Sequence, residues 1–443
     1  MKRILSVLFL VLLAIPAMSA TFGVGNGGPR TTNNDDTCDI SVAPAATLLL
    51  PYFEVSTEFG PATDTTIFTI TNVTDADRVV RVTLWTEYSF PVISFNMYLT
   101  GYDVQPINLF DVIVRGIIAP DTGTGYEFSP RGPLSDPDTQ NNGQFCDRMP
   151  GQLDDAYIQR MQSAFTLGVI PPLGSVFPAC APVGTVHENA VGYATIDVVG
   201  NCFFAQPNEP AYFSQDVRYD NVLTGEYQQI DTTTQSAQIN PLVHIRAIPE
   251  GGTPATRTTA HNRVNFPGTF YERYSAGTTS DARQPLPSTF HARWFEGGPL
   301  QYETFYKIWR QGTTGAGSQC ADYANNAALP VREVVVFDEH ENPFASAGPL
   351  TLPETSLLAA DDPEMPQVTN GSQAGWTYFN LDTVAGDGDA TQNWVVVSLQ
   401  SPAGYAGDFD ATALGNGCTP ERGISEATQP GGTTIGPAPN SNP

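Results

Sequence analysis

Lysine is almost missing from this chain. Of its 443 residues only Lys2 and Lys307 carry an ammonium side chain, and all other fixed positive charge is arginine. Twenty basic residues face 46 acidic ones, a formal net charge of −26. A surface of that sign repels phosphate, which excludes nucleic acid and anionic membranes as partners. Long apolar runs are equally scarce. The single one, from Ile4 to Ile15, is about a dozen residues, short of the roughly twenty that span a bilayer. No two cysteines stand at C-x-x-C spacing, which removes a common zinc and dithiol signature. His187-Glu188 and His340-Glu341 begin like the zinc-protease motif H-E-x-x-H, but Val191 and Phe344 stand where the second histidine belongs. There is no G-x-S-x-G elbow, and Gly23-Val24-Gly25 lies in the N-terminal leader rather than after a strand. No short repeat of the propeller or solenoid kind is present.

What is there begins with MKRILSVLFLVLLAIPAMSA. A basic start, an apolar stretch, the breaker Pro16 and the small residues Ala17, Ser19 and Ala20 form a secretory signal peptide, with cleavage expected near Ser19 or Ala20. Removal takes away Lys2 and Arg3 and no acid, leaving 18 basic residues against 46 acidic ones, or −28. The expected location is secreted, periplasmic or at the cell surface, with no membrane insertion after cleavage. Export gives meaning to Cys38, Cys146, Cys180, Cys202, Cys320 and Cys418, an even set suited to disulfides, for which six cysteines allow fifteen connectivities.

The most regular pattern lies between Thr65 and Ile113. Phe68 and Ile70, then Val80, Val82 and Leu84, then Ile93, Phe95, Met97 and Leu99 fall on single faces of successive runs. Period-two alternation of this kind marks strands with one buried face, and Asn72–Asp77 supplies a turn between two of them. Further strands are predicted over Thr47–Val55, Tyr193–Val199, Gly225–Ile230, Leu242–Ile248, Thr269–Tyr274, Thr289–Phe295, Thr304–Arg310, Arg332–Asp338, Gly375–Leu381, Asn393–Leu399 and Tyr405–Asp410. Pro51 marks an edge or a bulge in the first of these. Leu153–Leu167 is the one helix, with Leu153, Tyr157, Met161 and Phe165 on one face, Asp154 and Asp155 at its start and Gly168 as its stop. The predicted class is therefore all-β: antiparallel β-sandwich domains with one covering helix. The expected division is a signal peptide (1–20), a flexible leader (21–37), an N-terminal sandwich (38–120), a loop and helix connection (121–185), a C-terminal sandwich (186–420) and a flexible tail (421–443).

Two groups of residues stand out as candidate sites. Between Arg246 and Arg310 eight basic residues face five acidic ones, a local +3 in a chain whose mature remainder carries −31. Trp294, Tyr302, Tyr306 and Trp309, with Arg293 and Arg310, form the candidate binding surface, since exposed rings beside arginine suit sugar faces or partner proteins. The alternative is a sandwich core with arginine at its rim. Asp338, Glu339 and Glu341, and separately Asp387 and Asp389, offer hard oxygen ligands suited to calcium, the one cofactor these spacings would fit. Asp408 and Asp410 repeat the D-x-D spacing, none of these fits an EF-hand loop, and a solvated turn is the competing reading. Glu87, Asp103 and Asp111 are the meander's carboxylates for a cleft, and Asn72 and Asn370 head N-x-S/T sequons.

CDISVAPAATLLLPYFEV, TTIFTITNVT, WTEYSFPVISFNMYLTGYDVQPINL, VGYATIDVV, VVVFDEHENP and FDATALGNGC together resemble a group of exported β-rich proteins of environmental bacteria, over most of Cys38 to Cys418. The resemblance implies a bacterial, exported, single-architecture protein and assigns no activity. The expected role is structural, adhesive or glycan-binding, with a glycan, a cell-surface protein or further copies of the chain as partner. The competing class is a secreted hydrolase of polysaccharide or protein, which would need paired carboxylates in a cleft.

Overall fold

Alternating side chains in a sequence become the two faces of a sheet, and a sheet is stable when at least one face is covered. The computed structural model describes residues 43–58, 64–118, 153–172, 179–200, 212, 216–232, 236–247, 283–284, 286–312, 325–345, 350–381 and 392–414. The chain opens with β1 (Thr47–Val55), β2 (Thr65–Asn72), β3 (Arg78–Trp85), β4 (Pro91–Leu99) and β5 (Val104–Asn108). A short helix α1 (Leu109–Ile113) and the longer α2 (Asp155–Leu167) follow, then β6 (Ala190–Val199), β7 (Leu223–Asp231), β8 (Ser236–Pro241) and β9 (Val243–Ile245). These strands make two antiparallel sheets, ordered β4-β3-β6-β1-β9 and β5-β2-β7-β8, around one core.

The second half supplies β10 (Thr289–Phe295), β11 (Glu303–Arg310), β12 (Leu329–Pro330), β13 (Glu333–Asp338), β14 (Pro343–Ala345) and β15 (Thr351–Leu352). It ends with β16 (Thr355–Ala359), β17 (Ala374–Asn380), β18 (Asn393–Ser401), β19 (Tyr405–Asp410) and β20 (Thr412–Ala413). Their sheets are ordered β14-β13-β17-β10-β20 and β16-β11-β18-β19, with β12 and β15 as a small ladder. The class is all-β, as the alternation predicts, and the helical content among the described residues is slight.

The expected domain boundary is not where the sheets divide. The strands from Ala190 to Ile245 belong to the first sandwich: β6 lies between β3 and β1, and β7 between β2 and β8. The chain passes to the second sandwich only between β9 and β10. A strand's own pattern encodes its buried face and not its partner, so sequence order misplaced the division.

The sheet holding β1 and β6 is covered on both sides. Leu48 and Leu50 point into the first core while Leu49 points into the second; Ala194 and Ile196 likewise oppose Tyr193. Two buried faces explain why AVGYATIDVV is nearly continuous in apolar and small residues. Pro51 sits in a bulge, where the β1–β6 register shifts between Leu50 and Phe53. Proline has no N–H to give the ladder. The Pro51 carbonyl instead accepts the Thr355 hydroxyl of the second sandwich at 2.6 Å.

Helix α2 is capped at both ends as its sequence dictates. Asp154 accepts the Tyr157 N–H at 2.8 Å, and Gly168 closes the helix with φ 61°. A side chain at Gly168 would meet the Gly184 carbonyl, so only glycine fits there. Tyr157, Met161, Ala164 and Phe165 enter the first core, where Phe165 meets Phe53 edge-on at 5.4 Å. Helix α1 departs from the expected meander: the Asn108 side chain accepts the Phe110 N–H and turns the chain out of β5.

Candidate functional site

Most of the residues expected to form an exposed aromatic and arginine platform lie inside the protein. Trp294, Tyr306 and Trp309 belong to the second core, and Arg310 is fully buried. Tyr302 is half-buried and Arg293 exposed, so the six share no common surface. The physical reason is that β11 is covered on both faces. Tyr306 packs edge-on against Phe379 at 4.9 Å, while Trp309 on the opposite face meets Tyr193 at 5.9 Å. Arg310 donates to the carbonyls of Leu329 at 2.6 Å, Pro330 at 2.8 Å and Leu381 at 2.7 Å. Its charge closes loop ends rather than facing a ligand.

The calcium candidates also resolve differently. Among the described residues no three His, Cys, Asp or Glu side chains converge as a metal site. Asp387 and Asp389 lie outside the described residues, as do the strand expected over Thr269–Tyr274 and every cysteine but Cys180. The Asp338 carboxylate accepts the backbone N–H groups of His340 and Asn342 at 2.8 Å, and the side-chain amides of Asn342 and Asn370. Burial alone would raise its pKa, but these donors bring it down to about 2. Glu339 and Glu341 point to solvent. Asp338 thus anchors a turn, and the structure does not bring Glu339 and Glu341 together with it. Of the two sequon asparagines, Asn72 is fully buried and donates to the carbonyls of Ala76 at 2.8 Å and Thr100 at 2.9 Å.

Among the described residues, three further buried polar clusters bear on a site. In the first, Arg81 pairs with Asp216 at 3.0 Å and Arg283 with Asp197 at 3.5 Å, with all four side chains removed from water. Opposite charges in equal number make this an internal brace. In the second, Glu87 is not a surface acid: it is buried and meets His187 Nε2 at 2.9 Å. The His187 pKa is raised, chiefly by that bond and against the pull of burial. Thr185 Oγ1 lies 3.1 Å from the same Nε2. A nucleophile–base–acid relay needs the two ring nitrogens to serve opposite partners, so this is not one.

The third cluster lies along the seam between the two sandwiches and opens to a cleft. Lys307 Nζ, on β11, donates to Asp408 Oδ2 at 2.6 Å, to Gln238 Oε1 at 2.9 Å and to Gln229 Oε1. Gln238 in turn donates to Ser398 at 2.8 Å, and Asn240 to Asp410 at 2.9 Å. Burial raises the Asp410 pKa, against the hydrogen bonds from Trp394 and Asn240. Beside this seam is a cleft of about 240 Å³ walled by Glu54, Asp64, Asp231, Gln400, Phe305 and Leu357. Glu54 is oriented by Tyr52 Oη at 3.0 Å and Asn189 Nδ2 at 2.7 Å. Asp64 is held by the backbone and hydroxyl of Thr232, both at 2.8 Å. Fixed carboxylates and amides beside a half-buried ring and an exposed aliphatic side chain suit a ligand with both hydroxyl groups and an apolar face.

A shallower hollow of about 570 Å³ on the outer face of the β5-β2-β7-β8 sheet offers Thr69, Thr71, Thr224 and Ile239 but no aromatic ring. The His244 ring at its floor is neutral and fully used: Nδ1 donates to the Leu242 carbonyl at 2.6 Å, Nε2 accepts the Gly225 N–H at 3.3 Å, and burial lowers its pKa.

No protein-family profile, curated protein or solved structure matches this chain.

Proposed function

We propose that this chain is an exported, non-catalytic binding protein whose seam cleft takes the end of a neutral glycan at or outside the cell surface. The observation that carries the reading is the cleft's wall: oriented carboxylates and amides from both sandwiches around Phe305 and Leu357. Its acidic lining disfavours anionic sugars and anionic lipid headgroups alike. Its volume of about 240 Å³ falls below the roughly 300–1,000 Å³ of sites that enclose drug-sized ligands, which suits one sugar residue. Export rests on the N-terminal leader, and the disulfide framework on the even set of six cysteines.

A glycan array probed with the disulfide-intact protein and with Phe305→Ala tests this. Neutral glycans bound by the parent and lost from a folded variant support it; binding confined to anionic glycans, or retained by the variant, refutes it. The hydrolase reading has one observation in its favour. Burial, with Asp361 and Glu303 nearby, pushes the Glu296 carboxyl up to about 7, the range of a general acid. Turnover of a glycan abolished by Glu296→Gln would establish that reading instead.

A further inference from the structure

The one lysine outside the N-terminal leader is buried at the seam with its amine against a carboxylate. Lys307 and Asp408 both have side chains that are almost wholly removed from water, and Nζ lies 2.6 Å from Oδ2. Asp408 Oδ1 is buried and accepts no hydrogen bond. An ion pair gains most when every charged atom is satisfied, and here one oxygen of the anion is orphaned. The two residues sit diagonally across β18: Lys307 is opposite Val396, Asp408 is opposite Ser398, and β19 is the outer strand of its sheet.

We propose that Lys307 and Asp408 condense into an intramolecular isopeptide bond that staples edge strand β19 to β11. The new bond joins Nζ to Cγ of Asp408. One carboxyl oxygen leaves with two hydrogens as water, so the ammonium and carboxylate become a neutral amide. Nothing is oxidised or reduced, and no co-reactant is required. Holding amine and carboxyl in contact replaces a second-order encounter, and effective molarities for well-placed groups reach about 10⁵–10⁸ M. Exclusion of water disfavours the reverse hydrolysis, and the amide removes two buried charges together with the orphaned oxygen. Burial lowers the Lys307 pKa against the opposing pull of Asp408, which eases transfer of one ammonium proton to the carboxylate before the amine attacks. The link would tie β19, the outer strand of its sheet, to β11 across β18. Lys307 also lines the neighbouring cleft, but the mass measurement below reads the bond whatever that cleft binds.

Reduced, denatured full-length protein measured by intact-mass spectrometry, followed by a tryptic map, tests the proposal. The expected result is a chain lighter than its sequence by one water, with a branched peptide joining Lys307 to Asp408. Lys307→Arg and Asp408→Ala should each restore the full sequence mass, and the parent's mass decides the question even where those variants fail to fold. A parent at full mass, a water lost without the branched peptide, or loss of ammonia through Gln229 or Gln238 would each overturn it.

Discussion

Replacing Trp309 with alanine separates a core role for this ring from a ligand-platform role. Trp309 is 3% exposed. It reaches from β11 to the Tyr193 ring, which itself stacks on Trp85 at 5.8 Å with planes 3° apart. Deleting a buried tryptophan side chain costs about 3–5 kcal/mol through lost transfer energy and the cavity left behind. Loss of an aromatic pair adds about 0.5–1.5 kcal/mol, which places this site at the upper end. At about 2 °C per kcal/mol for a large chain, Tm should fall by about 6–10 °C. Guanidinium unfolding followed by far-UV circular dichroism gives the free energy, and calorimetry gives Tm. Because the ring joins the second sandwich to a sheet of the first, both sandwiches should lose stability together. A loss under about 1 kcal/mol, or a shift confined to one half of a biphasic transition, would refute the shared core.

Three further outcomes follow from the same physics. Arg81→Met breaks the buried ion pair with Asp216 and should cost about 3–5 kcal/mol, whereas Arg115→Ala at the exposed pair with Asp111 should cost under about 0.5 kcal/mol; urea unfolding compares them. The contributions of Glu296 and His187 to stability should decline as pH rises, while His244 and His291, whose pKa values burial lowers, contribute in the opposite direction. Glu296 keeps its proton more tightly in the folded state, so its contribution is full below the ordinary 4.5 and is lost as pH passes about 7. His187, also raised, contributes fully below 6.5 and loses its contribution at higher pH; Glu296→Gln with His187→Gln should remove that decline from the profile read by thermal melts. At the acid end Asp338 acts oppositely: its contribution is full above 3.8 and fades as pH falls through about 2, and Asp338→Asn should remove that limb.

Strands whose two faces differ in character were legible in the sequence to the residue. Thr289–Phe295 and Tyr405–Asp410 match β10 and β19, and the spacing and end residues of Leu153–Leu167 give α2 to within two residues. Which face turns inward was not legible for β11, because ETFYKIWR carries rings on both faces and both are covered. Short strands such as β14, β16 and β20 are too brief for a pattern. The seam was the least legible part. Its polar residues come from β1, β7, β8, β11, β18 and β19 and from Asp64 just before β2, each ordinary in its own segment, and meet only after the sheets stack. One signal was available: a lone lysine at the centre of an aromatic strand in a chain otherwise served by arginine. A charge retained at a core position is there for a buried partner.

The claim that the seam cleft is a binding site is tested most directly by titration calorimetry of a neutral oligosaccharide selected on the array, against the parent and Phe305→Ala. Loss of one ring contact at a small site costs about 1–2 kcal/mol, so affinity should fall about 5- to 30-fold while the circular dichroism spectrum is unchanged. Equal affinity in the two proteins would contradict the account.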